Sequence, residues 1–339
     1  MADVPITGPA MPKPAEHGGD LGAIRRRFPT VPLPWIDLST GINPVPYPVA
    51  DLPIEIWSRL PTREAEQRLI AAAAHRYGID DPATIVAAPG TQALIQLLPR
   101  LVPRSRVAIV GPTYAEHERG WQRGGHDVAV VPDLGGAAGA DIVVVVNPDN
   151  PTGQLIAPPE LHAIKAALLV VDEAFVDFLP ATASLAGDLP ANAVVLRSFG
   201  KAYGLAGLRL GFAVAPVRLA ERLWDELGPW AVSGPALEIG RIALGDEAWL
   251  KAAAKRLAAD RKRLDALLVA AGFTLSGGTP LFRLADHPQA RGFIDALGRH
   301  GLHVRGFADQ TTWLRFGLPA DDKGFRRLAD ALQVPQKVR

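Results

Sequence analysis

A lysine set among glycines, a hydroxyl and an arginine is the first place in this chain where chemistry can be sought. Residues 194–211 read Val-Val-Leu-Arg-Ser-Phe-Gly-Lys-Ala-Tyr-Gly-Leu-Ala-Gly-Leu-Arg-Leu-Gly. Gly200, Gly204 and Gly207 permit backbone conformations that other residues avoid, so the loop can approach an anion closely. Ser198 can hydrogen-bond a phosphate and Arg209 can grip one with its planar fork. Lys201 stands beside the place such an anion would take. A nucleotide-binding P-loop is excluded, because it needs a glycine five positions before Gly200 and a hydroxyl after Lys201, where this chain has Val195 and Ala202. Gly204, Gly207 and Gly211 lack the spacing of the dinucleotide fingerprint. Two readings are left: an ordinary solvated lysine, or a Schiff-base lysine beside a phosphate cup, the pairing that pyridoxal phosphate requires.

The elements that must position this loop are legible as apolar runs. Ala193 to Leu196 and Leu208 to Val214 read as strands on either side of it, and Thr84 to Ala87, Arg106 to Val110, Asp127 to Val131, Asp141 to Val146 and Leu168 to Val171 read as further strands. The nearly continuous apolar run at 141–146 is that of a strand covered on both faces. A helix is expected over Arg63 to Tyr77, with Thr62 as its N-cap and Gly78 just past its end. Another opens at Gly90-Thr91-Gln92 and runs through Leu101, and a helix N-terminus is a ready anion site. Glu160 to Ala166 reads as a helix as well. From Ala215 onward the pattern turns helical over Val217–Leu227, Pro235–Leu244 and Glu247–Ala271, the last long enough to link two domains. Strands at Phe273–Leu275, Leu281–Leu284, Leu302–Arg305 and Thr312–Phe316 then alternate with helices, as in a small α+β domain.

The motifs, taken in order, resemble those of fold-type I pyridoxal-phosphate enzymes, in the branch holding histidinol-phosphate aminotransferases and threonine-phosphate decarboxylases. The lysine stretch Ser198 to Gly211 carries the resemblance most strongly, joined by His17-Gly18-Gly19, Asn43-Pro44, Gly90-Thr91-Gln92, Asn147-Pro148-Asp149-Asn150-Pro151-Thr152-Gly153 and Asp172-Glu173-Ala174-Phe175. The resemblance implies an α/β fold: a three-layer α/β/α large domain with a mostly parallel sheet over residues 45–230, and a small α+β domain formed by 231–339 with the N-terminal arm 1–44. It implies pyridoxal 5'-phosphate as cofactor, with Gly90, Thr91, Gln92, Ser198 and Arg209 around its phosphate. Tyr114 would stack on its ring, Asn150 would donate to the ring 3-oxygen, Asp172 would face the ring nitrogen, and Lys201 would hold the aldehyde carbon. Lys201, Asp172 and Tyr114 are then the catalytic candidates, and His17, Asn43, Arg305 and Arg315 the substrate-binding ones. Taken alone, each has a plainer reading: a turn-forming Asn-Pro, a packed aromatic ring, a surface arginine.

The leading expectation is a lyase that decarboxylates threonine phosphate to aminopropanol phosphate for cobalamin synthesis. An aminotransferase of the histidinol-phosphate type is the second, and a catalytically silent relative the third, opposed by the intact Lys201, Asp172, Asn150 and Arg209. Two positions depart from the common pattern. Leu60 stands where many relatives have a tyrosine that reaches the cofactor phosphate across a homodimer, with Tyr47 as a candidate substitute. Phe175 replaces the tyrosine of most aminotransferases, a departure that resembles the decarboxylase branch.

Composition narrows the remaining classes. With 339 residues and 48% hydrophobic content the chain can bury a large core. The net charge of +1 gives no global reason to expect nucleic-acid binding, and the absence of cysteine excludes disulfides, thiol catalysis and cysteine-held metal. His117-Glu118 lacks the second histidine of a zinc helix, since Trp121 occupies that position. Residues 1–19 lack the apolar core of a signal peptide and no window approaches a membrane span, so a cytoplasmic protein is expected.

Overall fold

The computed structural model describes residues 18–333. Its larger sheet contains β2 (Ile85–Ala88), β3 (Arg106–Val110), β4 (Asp127–Val131), β5 (Ile142–Val146), β6 (Leu168–Asp172), β7 (Ala193–Ser198) and β8 (Gly211–Val214), in the order β2-β8-β7-β6-β5-β3-β4. All pairings are parallel except those of β8, which runs antiparallel to β2 and β7. Alternate residues of each central strand enter different cores. Ile142, Val144, Val170 and Leu196 pack on one face, and Val143, Val145, Val171 and Val195 on the other. A sheet buried on both faces needs apolar residues at every position, which explains the uninterrupted run in β5. The result is the expected three-layer α/β/α body.

The smaller sheet joins β1 (Ile36–Leu38), β9 (Thr274–Thr279), β10 (Phe282–Asp286), β11 (Leu302–Gly306) and β12 (Trp313–Gly317) in the order β1-β11-β12-β10-β9. Its core includes Phe273, Phe282, Phe293 and Phe316. The helix Glu247–Ala270 crosses between the two bodies, with Leu250 buried in a large-sheet cluster and Leu257, Leu264 and Leu268 in the small-sheet core. Among the described residues no helix is long and apolar enough to cross a membrane.

Local expectations hold where capping chemistry is explicit. The helix Arg63–Tyr77 begins at Thr62, whose hydroxyl accepts the Ala65 N–H, and ends at Gly78 in the left-handed region, φ 67°. The helix opening at Thr91 stops at Leu97 and tightens into a 3-10 turn over Leu98–Arg100, because Pro99 has no N–H to continue the ladder. The expected helix at 160–166 lies instead at Pro158–His162, started by two prolines suited to a first turn. The expected strand from Leu208 begins only at Gly211, since Ala206–Leu208 forms a 3-10 turn and Arg209 takes a left-handed conformation, φ 55°.

Candidate active site

The carboxyl ends of the parallel strands converge on one cavity of about 520 Å³, the usual place for a ligand in an open α/β sheet. Tyr114 follows β3, Asn150 follows β5, Asp172 ends β6, and Ser198 ends β7 with Lys201 one helical turn beyond it. The small sheet closes the cavity from the other side with Arg305 and Arg315, which face each other across the β11–β12 pair.

One end of the cavity is an anion cup. Gly90 sits at φ 84°, and a Cβ placed there would lie 2.6 Å from Nη2 of Arg209, so only glycine lets the guanidinium close over this turn. A Cβ at Gly211 would lie 2.6 Å from the Thr91 backbone nitrogen. These two close approaches bring the first turn of the helix Thr91–Leu97 against Arg209, and Ser198 also lines this cavity.

The middle of the cavity is built around an aromatic ring and a carboxylate. The Tyr114 hydroxyl donates to Gln92 Oε1 at 3.2 Å, and Gln92 Nε2 donates to Glu116 at 2.9 Å, fixing both side chains on the cavity wall. Burial, then the charges of Glu116 and Asp172, raises the Tyr114 pKa to about 12, so it remains a neutral donor. Asp172 is 3% exposed; its Oδ1 accepts the Ala174 N–H at 3.1 Å and its Oδ2 lies 2.9 Å from Nε2 of the buried His117. His117 is the functional neighbour that sequence reasoning set aside as half of a zinc motif. The available signal was its place on the helix that follows Tyr114, three residues beyond the ring.

Lys201 reaches this centre from below, its Nζ 5.6 Å from the Phe175 ring centroid. Burial, reinforced by the positive charges of Arg315 and Arg209 and opposed by Asp172, lowers its pKa to about 8. An amine so placed is a usable nucleophile near neutrality. Arg315 is 7% exposed and donates through Nη2 to the Ser39 carbonyl at 2.6 Å and through Nη1 to Asn150 Oδ1. Its Nε is buried with no partner among the described residues, a donor aimed at a ligand or left at a cost. Because Asn150 Oδ1 receives Arg315, the amide keeps its Nδ2 as donor. Burial, then the neighbouring Arg305, lowers the Arg315 pKa to about 10.

Gly90, Thr91, Gln92, Tyr114, Asn150 and Asp172 therefore share a wall with Ser198, Lys201, Arg209, Arg305 and Arg315. Asn43 does not. It was expected to face the substrate, but it is 2% exposed and both ends of its amide are engaged, Nδ2 donating to the Ala202 carbonyl at 2.8 Å and Oδ1 accepting from Arg256 at 2.9 Å. Tyr47, the candidate substitute for the tyrosine absent at position 60, is buried with its hydroxyl donating to Asp246 at 3.2 Å, and it is not on the wall of its own chain's cavity. Leu60 is 65% exposed. His17 lies outside the described residues, while its neighbour Gly18 lines the cavity.

An anion cup, an activated amine, a carboxylate steadied by histidine and a flat aromatic wall suit a phosphorylated aromatic aldehyde with a basic ring nitrogen. The family model for aminotransferase class I and II matches residues 54–332, and the chain belongs to that family. It is 45% identical to a threonine-phosphate decarboxylase from a Sinorhizobium species over 332 residues, covering 95% of this chain and 98% of the relative. It is 40% identical to a threonine-phosphate decarboxylase from Pseudomonas aeruginosa, covering 94% and 97%. Among solved structures it is similar to the histidinol-phosphate aminotransferase of Sinorhizobium meliloti in complex with pyridoxal-5'-phosphate, with TM-score 0.76, 25% identity and coverage of 91% and 92%.

Proposed function

We propose that this protein is a pyridoxal-phosphate-dependent lyase that decarboxylates L-threonine O-3-phosphate to (R)-1-aminopropan-2-yl phosphate, a step of cobalamin biosynthesis. The observation that carries this reading is the pair of arginines opposed across β11 and β12 on the cavity wall. Arg209 serves the anion cup at one end, so Arg305 and Arg315 offer anchors for two further anions, and this substrate has two, a carboxylate and a phosphate. The high identity with curated decarboxylases along nearly the whole chain supports the same conclusion.

The residues fit the cofactor: the Gly90–Arg209 cradle and Ser198 would hold its phosphate, Tyr114 would cover its ring, Asn150 Nδ2 would donate to its 3-oxygen and Asp172 would face its nitrogen. When bound, pyridoxal phosphate supplies an electrophilic carbon for amines and a ring that accepts electrons. Asp172, oriented by His117 and the Ala174 N–H, holds the proton on the ring nitrogen. Arg315 grips the substrate carboxylate, and Arg305 with His17 takes the substrate phosphate. With both ends tied, the substrate would be unable to turn, and its carboxylate would be held in the one orientation that favours its loss. Phe175 and Tyr114 line the same cavity and would leave little room for water beside the substrate. Lys201 Nζ would supply the proton that takes the place of the departing carbon dioxide.

The working form is a cytoplasmic homodimer. Ile54, Trp57 and Leu60 are 69%, 61% and 65% exposed, an apolar group suited to a second copy. Sedimentation of the purified protein tests the dimer. For the reaction, the protein is loaded with pyridoxal phosphate and assayed for carbon dioxide release from threonine phosphate and for amino transfer from histidinol phosphate. Carbon dioxide release supports the proposal. Amino transfer without it replaces the decarboxylase with an aminotransferase.

A further inference from the structure

The single helical turn Phe199–Ala202 that carries Lys201 is too short to satisfy its own last carbonyls. They are met by a segment from far back in the chain. The Asn43 N–H donates to the Lys201 carbonyl at 2.9 Å, Asn43 Nδ2 donates to the Ala202 carbonyl at 2.8 Å, and the Tyr47 N–H donates to the Tyr203 carbonyl at 2.8 Å. Successive carbonyls are thus held by one short stretch. The approach is tight, since a Cβ on Gly204, at φ 67°, would lie 2.7 Å from both the Asn43 carbonyl oxygen and the Pro46 Cα. Asn43 is itself oriented: its Oδ1 accepts the Val45 N–H at 3.2 Å and Arg256 Nη2 at 2.9 Å. Two donors on one oxygen fix which way the amide points, so its Nδ2 must face the Ala202 carbonyl. Arg256 comes from the helix Glu247–Ala270 that passes between the two cores.

We propose that Asn43 and Arg256 are positioning residues for Lys201: Arg256 orients the Asn43 amide, and Asn43 clamps the turn so that Nζ stays in its buried place beneath Phe175. This rests on Lys201 being the cofactor lysine. The charged groups that act on the amine are Arg315, Asp172 and Arg209, so Arg256 works through Asn43 rather than through its own field. A four-carbon stem on a loosened turn swings toward water, where the amine regains an ordinary proton affinity.

The test uses Arg256→Met, Arg256→Lys, Asn43→Asp and the wild type. Asn43→Asp keeps the shape but turns the donor facing Ala202 into an acceptor. In the cofactor-free full chain, the pH dependence of Lys201 labelling by an amine-reactive reagent is followed by mass spectrometry, and circular dichroism reports folding. In a second arm, the rate at which pyridoxal phosphate becomes attached is measured by borohydride trapping. Arg256→Met and Asn43→Asp are expected to raise the labelling midpoint by about one pH unit, which lowers the neutral amine near pH 7 about tenfold and slows trapping by a similar factor. Arg256→Lys, which can still donate to Asn43 Oδ1, restores most of both. Folded variants whose midpoint and trapping rate match the wild type overturn the proposal and leave these residues a structural role. The labelling arm needs no cofactor, so it decides the matter whatever becomes of the functional reading. Should Asn43→Asp fail to fold, Arg256→Met and its lysine counterpart carry the same decision.

Discussion

Replacing Arg315 with methionine tests the anchor assigned to the substrate carboxylate. The guanidinium is buried, spends one nitrogen on the Ser39 carbonyl and another on Asn150, and keeps an unpartnered Nε. One charged hydrogen bond to a substrate anion is worth about 1.5–3 kcal/mol, which corresponds to a loss of about 10- to 150-fold in kcat/KM for threonine phosphate. Loss of both arms of a fork lies at or beyond the upper figure, and Arg315→Lys, which keeps the charge without the fork, near the lower one. The assay compares kcat/KM for carbon dioxide release with the inhibition constant of 1-aminopropan-2-yl phosphate, which has the same phosphate and amine but no carboxylate. The inhibition constant should change far less than kcat/KM. A second effect has a known sign: Arg315 is the largest charge lowering the Lys201 pKa, so its removal raises that pKa above about 8. That effect belongs to the free amine, so it is read separately, as the pH dependence of Lys201 labelling in the cofactor-free variant. Equal losses for substrate and product analogue, or a carboxylate-specific loss in Arg305→Met instead, would refute the assignment.

Borohydride reduction of the loaded protein should place the pyridoxyl group on Lys201, and an adduct on any other lysine would remove the basis of the mechanism. Attachment to the cofactor-free protein should rise with pH and level off above about 8, because the amine is protonated below that value and neutral above it; a rate still climbing toward 10.5 would mean an exposed, ordinary lysine. His117→Ala removes one hydrogen bond to the Asp172 carboxylate and should lower kcat about 10-fold or more with the cofactor retained; an unchanged kcat would show that the Ala174 N–H alone holds the carboxylate. Gly90→Ala should cost about 1–3 kcal/mol of strain at its positive φ and press on Arg209, weakening retention of pyridoxal phosphate more than that of pyridoxal, and equal weakening would place the damage outside the cup.

Much of the large sheet was legible because its strands obey a simple demand: burial on both faces leaves no room for polar residues between Ile142 and Val146 or between Ala193 and Leu196. The helix Arg63–Tyr77 was legible to the residue because Thr62 and Gly78 announce its ends. What stayed hidden depends on distant pairings. His117 gains its meaning from Asp172, a contact across 55 positions, and Asn43 from Arg256, across 213. No local pattern encodes either. A motif read from relatives placed Asn43 at the substrate, whereas the hydrogen-bond geometry turns its side chain away, toward the carbonyls of the lysine turn. The late start of β8 has a similar origin: Leu208 and Leu210 look like strand residues, but holding Arg209 over Gly90 bends the backbone between them out of the sheet.

The loop after β5 is also bound to the small sheet through bare backbone. The Gly278 N–H donates to the Thr152 carbonyl at 2.9 Å, a Cβ on Gly153 would lie 2.1 Å from the Gly278 carbonyl oxygen, and one on Gly277 would lie 1.9 Å from that of Thr152. Glycine against glycine leaves no side chain to act as a flexible spacer, so strand β9 and this loop must travel as a single rigid piece. If the small sheet rocks to admit and enclose a substrate, it carries Asn150 along with Arg315, and the distance from the ring contact to the substrate anchor is conserved through the motion. The compliant joint then has to lie elsewhere, and the helix Glu247–Ala270, another bridge between the two bodies, is one place where bending would be absorbed.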